Sequence, residues 1–119
     1  MTNVLAVLIL STGFSVALET KNGYVEKSFP NSPAGAEQFW EFAEPILRGE
    51  GKKIKVCTAS LVSDSGAIME WLLEEEFQPA LLSEQAYREY ADSNSLSAES
   101  PVTVAKACLA RFPFIRRAP

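Results

Sequence analysis

Any chemistry in this chain has to start from carboxylates, hydroxyls or two thiols, because the sequence contains no histidine. That removes the commonest general base near neutral pH and a leading zinc ligand. Ser11, Ser60, Ser63 and Ser65 therefore lack the imidazole that would activate a nucleophilic hydroxyl. Turn and capping roles suit them better. Cys57 and Cys108 lie far apart, without the Cys-x-x-Cys spacing of a redox or zinc site, and each has apolar neighbours. Two buried free thiols are the expectation, and with them a reducing, cytoplasmic compartment. Glu70, Glu74, Glu75 and Glu76 crowd one stretch. Without an enclosing pocket they cannot become a matched acid and base. They read as the solvated face of a helix, or as an acidic surface for a protein partner. No glycine-rich phosphate loop is present, and nothing calls for a cofactor or a metal.

The elements that would position these residues are organised around Val4–Leu10, seven apolar residues without a charge. A run of this length bounded by turn residues predicts a strand buried on both faces. Residues 1–3 carry no Lys or Arg, so the run reads as a strand rather than a signal peptide, and it is far too short to span a membrane. Phe14–Thr20 and Tyr24–Phe29 alternate as partner strands, with Asn22-Gly23 as a hairpin signal between them. Ser32 and Pro33 then start a helix, by capping and by a proline at its first position. Pro45, inside that helical stretch, predicts a kink or a break. A fourth strand, Lys52–Ala59, follows a helix and so should run parallel to the first. Ser63 or Ser65 would cap a second helix. Gln78–Leu82 reads as a fifth strand, Ser83 as the cap of a third helix, and Ser100-Pro101 as the start of a fourth. Asp92–Glu99 is a polar, serine-rich loop, the stretch expected to move most.

One domain over residues 1–112, with an apolar and basic tail over 113–119, fits a chain of 119 residues. The order gives an α/β fold with a mixed five-stranded sheet, a three-strand antiparallel meander plus parallel strands, and helices on both faces. That is the ribonuclease H-like architecture.

At this point the pieces resemble a family. Ser15-Val16-Ala17-Leu18, then Phe29-Pro30-Asn31-Ser32-Pro33-Ala34-Gly35, then Val56-Cys57-Thr58-Ala59-Ser60 and finally Leu109-Ala110-Arg111-Phe112 stand in the order found in one domain. It is the N-terminal ribonuclease H-like domain of DEDD-type transposases and Piv-like DNA invertases. The resemblance implies four carboxylates holding two divalent metals about 4 Å apart for phosphodiester transfer. Carried over, those positions are Leu8, Thr58, Val102 and Ala105, none of which ionises. A slip of one residue does not rescue them, because no Asp or Glu occurs within 1–18, 51–63 or 100–119.

What the resemblance implies is therefore a pseudo-nuclease: not an enzyme, but a regulatory module that binds a protein. Its context would be a mobile genetic element or a phage, with a nucleic-acid-handling or defence complex as a target. The alternative is a remnant that still binds nucleic acid. Lys52, Lys53, Lys55, Lys106, Arg111, Arg116 and Arg117 are its candidate cations, and Phe112 and Phe114 its stacking groups. The overall balance, 15 Asp and Glu against 11 Lys and Arg, weighs against that alternative.

Overall fold

Strand β1 (Thr2–Leu10) is the middle of a five-stranded sheet whose order is β3-β2-β1-β4-β5. Val4, Ala6 and Leu8 point to one face and Leu5, Val7 and Ile9 to the other, and all six are buried. A central strand has no solvated side, which is why its sequence does not alternate. The computed structural model describes residues 2–20, 23–50, 53–64 and 66–111.

β2 (Gly13–Thr20) pairs antiparallel with β1, and β3 (Gly23–Phe29) antiparallel with β2. The β2–β3 pairing closes at Thr20↔Gly23, one residue earlier than Asn22-Gly23 predicts; Asn22 itself lies outside the described residues. β4 (Lys53–Ser60) runs parallel to β1, as expected after a helical crossover, and β5 (Ala80–Leu82) runs parallel to β4. The mixed sheet is thus a meander joined to a parallel half, and β5 is shorter than Gln78–Leu82 predicts.

Helices α1 (Pro33–Glu50) and α2 (Gly66–Glu74) cover one face; α3 (Glu84–Ser93) and α4 (Pro101–Arg111) cover the other. Of the kink or break expected at Pro45, the break does not occur, and α1 continues through it. Proline there removes the hydrogen bond to the Glu41 carbonyl. Both residues lie on the exposed side, where water can take that partner's place.

The segment Pro30–Gly35 ties the first face together. Ser32 accepts a hydrogen bond from the Gly35 N–H at 3.0 Å and so caps α1 as predicted. Gly35 passes so close to Pro30 that a Cβ would overlap the Pro30 carbonyl oxygen. Asn31 reaches across to α2, where its side-chain oxygen accepts from the Ile68 N–H at 2.9 Å. The capping of α2 expected from Ser63 or Ser65 is therefore corrected. Asp64 accepts from the Gly66 N–H at 2.9 Å, Asn31 takes the Ile68 N–H, and Ser65 lies outside the described residues. A family-like sequence motif turns out to be a brace between two helices.

The cysteine expectation is also corrected. Cys57 and Cys108 are buried, but they are joined in a disulfide, with Cα atoms 6.3 Å apart. Cys57 faces α4 from β4, and Cys108 lies on the inner stripe of α4, so two distant residues meet at a distance a disulfide spans. The cytoplasmic expectation rested on free thiols and loses that support. No helix among the described residues is long and apolar enough to cross a membrane.

Candidate functional site

Of the four positions singled out by the sequence resemblance, Leu8 lies on the α4 face of β1. Leu8 is fully buried there, in one cluster with Ala59, Val104, Ala105, Cys57 and Cys108, and Val102 packs against that cluster. Thr58 does not join them. It is the register partner of Val7 and points to the opposite face, where its hydroxyl donates to the Ala80 carbonyl at 3.2 Å. Side chains alternate between faces along a strand, so the residue beside Leu8 is its own partner, Ala59. The structure thus brings together Leu8, Val102 and Ala105, replaces Thr58 by Ala59, and presents only hydrocarbon.

The polar margin of this region is thin. Ser15, the antiparallel partner of Leu8, shares a 2.7 Å hydrogen bond with Ser28 across β2 and β3. Those hydroxyls open on a cleft of about 380 Å³ that Glu26, Glu99 and Ser100 also line. Among the described residues no group of three or more His, Cys, Asp or Glu side chains could hold a metal. The loop expected to be mobile, Asp92–Glu99, is anchored to this face. Tyr87, buried under it, donates its hydroxyl to the Ala98 carbonyl at 2.6 Å and contacts the Ser100 carbonyl at 3.3 Å. Burial pushes the Tyr87 phenol up to about 12, against the opposing pull of Arg88.

The opposite layer is acidic. Glu37, Glu41, Glu70, Glu74, Glu75 and Glu76 are all exposed, and no Lys or Arg is among the described side chains of α1 and α2. The cations at its margins are engaged. Lys27 sits 5.2 Å from the Phe42 ring centroid and 5.6 Å from that of Phe29, and Lys55 Nζ lies 3.4 Å from the Gln78 carbonyl. The carboxylates of Glu70, Glu74, Glu75 and Glu76 have no hydrogen-bond or ion-pair partner among the described residues.

The end of α2 carries two local costs. Three glutamates follow one another where the helix dipole is negative and favours cations. Glu76 also adopts φ of +63°, the left-handed conformation in which glycine is preferred. It does so because the helix closes with Glu76 N–H on the Leu73 carbonyl at 3.1 Å and Phe77 N–H on the Leu72 carbonyl at 2.9 Å, a Schellman ending. Neither the charge run nor the residue at 76 serves the fold best.

Of the candidate cations, only Lys55 and Lys106 have described side chains. Lys55 is half-buried near the start of β4, and Lys106 is exposed on α4. Lys53 and Arg111 are placed by backbone only, in β4 and at the end of α4. Lys52, Arg116, Arg117, Phe112 and Phe114 lie outside the described residues.

Sequence reasoning missed two apolar residues. Leu73 and Leu81 are 59 % and 65 % exposed. The signal at Leu73 was available. Ile68 and Leu72 define the buried stripe of α2, which leaves Leu73 about 100° away among Glu70 and Glu74.

Neither a protein-family model nor a curated protein matches this chain.

Proposed function

We propose that this chain is a non-catalytic protein-binding module on a ribonuclease H-like sheet, engaging a basic partner through the acidic layer of α1 and α2. One observation supports the non-catalytic part: Leu8, Val102 and Ala105, three of the four positions where the resemblance calls for metal-binding carboxylates, pack in one apolar cluster, with Ala59 rather than the fourth, Thr58, beside Leu8. Divalent cations of the two-metal type need hard oxygen ligands. Methyl groups cannot supply them. The strand order and the parallel β1–β4 pair support the ribonuclease H-like reading. The context of a mobile element or phage, and a target in a nucleic-acid-handling or defence complex, come from the sequence resemblance alone.

Titrating Mn²⁺ into the protein, with amide NMR as the readout, tests the first part. The expected result is no paramagnetic broadening centred on Leu8, Ala59 and Ala105. Broadening there that Mg²⁺ competes away would overturn it. For the second part, the native chain and a variant with Glu37, Glu41, Glu70 and Glu74 changed to Lys are immobilised side by side. The reading predicts a protein retained by the first and lost by the second at micromolar concentration. Salt-sensitive retardation of DNA or RNA by the native chain would instead favour the nucleic-acid remnant.

A further inference from the structure

The two exposed large hydrophobics among the described residues are Leu73 of α2 and Leu81 of β5, and Leu81 lines a cleft beside α2 whose other walls are mostly polar, with Thr58, Ser60, Ser83 and Glu84 among them. Met69 of α2 and Leu81 of β5 line the same cleft, of about 420 Å³, and Leu73 stands one helical turn on from Met69. β5 is an edge of the sheet, paired only with β4 among the described residues. On its α2-facing side Leu81 is left uncovered. An apolar rim at an open sheet edge is a feature that soluble chains otherwise suppress with charge or proline.

The charges beside this rim say what covers it. Glu70 and Glu74 follow Met69 and Leu73 by one position each, so an acidic stripe runs alongside the apolar one. Glu75 and Glu76 continue it past the helix end, at the negative pole of the dipole. Lys55 stands near the lower end, lining a cleft with Glu76 and Phe77. We infer that the groove between α2 and β5 docks a basic segment of a partner protein, with Leu73 and Leu81 gripping its apolar side chains and the α2 glutamates holding its cations. This inference deepens the binding-module reading and rests on it. A cationic ligand also accounts for glutamate at 76, because it relieves a dipole and a charge run that the free fold leaves uncompensated.

The probes are short peptides alternating lysine with leucine, lysine with serine, and glutamate with leucine, each titrated into the full chain and followed by amide NMR. The lysine–leucine peptide is expected to shift residues 69–82, and to bind at least about tenfold more tightly than the lysine–serine peptide. In a Leu73→Ser, Leu81→Ser variant that preference should vanish, while the weak binding of the lysine–serine peptide persists. Both leucines are exposed, so the variant's amide spectrum is expected to match the native one away from the groove. Equal binding of the lysine–leucine peptide to native and variant chains, with shifts spread over α1, would sink the groove and leave the acidic layer as the binding surface. Failure of both basic peptides to bind would remove the groove and the acidic-layer reading together. Comparable binding of the glutamate–leucine peptide would overturn the charge argument.

Discussion

The two faces of the sheet are packed by different means. On the α1–α2 side, aromatic rings do the filling. Phe39 lies within 6.4 Å of the centroids of Phe14, Phe29, Trp40 and Trp71, and Trp40, Trp71 and Phe77 form a triangle at the outer margin. On the α3–α4 side the buried residues are mostly small, including Ala6, Ala17, Ala59, Ala105 and Ala107. Small side chains let α4 approach the sheet closely, and the disulfide then fixes it there. The aromatic side is held by bulk and carries an acidic exterior with an open edge; the alanine side is held by closeness and is sealed. The proposed partner surface lies on the first, and the second offers no cluster of metal-ligating side chains among the described residues.

The sharpest way to break this contrast is to put a carboxylate on the sealed side. Leu8→Asp places a charge without a cationic partner in a buried, largely apolar cluster, and should cost more than about 4 kcal/mol in urea unfolding, or prevent folding. A folded Leu8→Asp protein that gains stability with Mg²⁺ would mean that the sealed side can take a metal ion. On the aromatic side, Phe39→Ala removes the ring that touches four others and should cost about 3–5 kcal/mol. A loss under about 1 kcal/mol would mean that the remaining rings collapse into the space, and that bulk is not what holds this side.

Legibility in the sequence followed the range of the interaction. The two-faced burial of Val4–Leu10, the Ser32 and Ser83 caps and the parallel β4 all rest on local pattern plus one topological rule, and the structure shows them. The placement of Thr58 beside Leu8 was carried over from a motif, whereas its true face depends on strand register, which a one-residue shift inverts. Asn31 capping α2 joins residues 37 apart, and Cys57 meets Cys108 across 51, so neither contact has a local pattern. A hint existed for the second pair: Cys57 holds an alternate position in a buried strand, and Cys108 falls on the same helical stripe as Val102 and Ala105.

Two further tests separate closeness from simple burial on the α4 side. The disulfide closes a long loop, so replacing both cysteines with alanine should cost about 2–4 kcal/mol, and a reducing agent should lower the melting temperature of the native chain but not of the variant. Equal melting curves with and without reductant would mean that packing alone holds α4. Tyr87→Phe is expected to cost about 1–2 kcal/mol, since the Ala98 carbonyl loses its hydroxyl partner. It also carries a pH signature. The folded phenol titrates at about 12, above the ordinary value of 10.0, so the unfolded chain releases that proton first. The stability it contributes is complete below pH 10 and falls as pH rises toward about 12. The Phe variant should lack that part of the alkaline decline, and an identical decline in both would place its cause elsewhere.

The smallest expected effect bears most directly on the open side. Glu76→Gly frees a left-handed position from the cost of a Cβ and removes a negative charge from the end of α2. Denaturant unfolding should show a gain of about 0.5–1 kcal/mol, because glycine already prefers the conformation that the Phe77–Leu72 hydrogen bond imposes. Stabilisation by deleting a surface charge is the behaviour of a residue kept for something other than folding. The same variant should therefore bind the lysine–leucine peptide more weakly than the native chain. If it proves more stable and binds unchanged, Glu76 is only a poor helix stop, and the acidic stripe of the groove ends at Glu75. If it proves less stable, the left-handed turn is held by contacts of the Glu76 side chain, and the contrast between a sealed face and an uncompensated one loses its clearest marker.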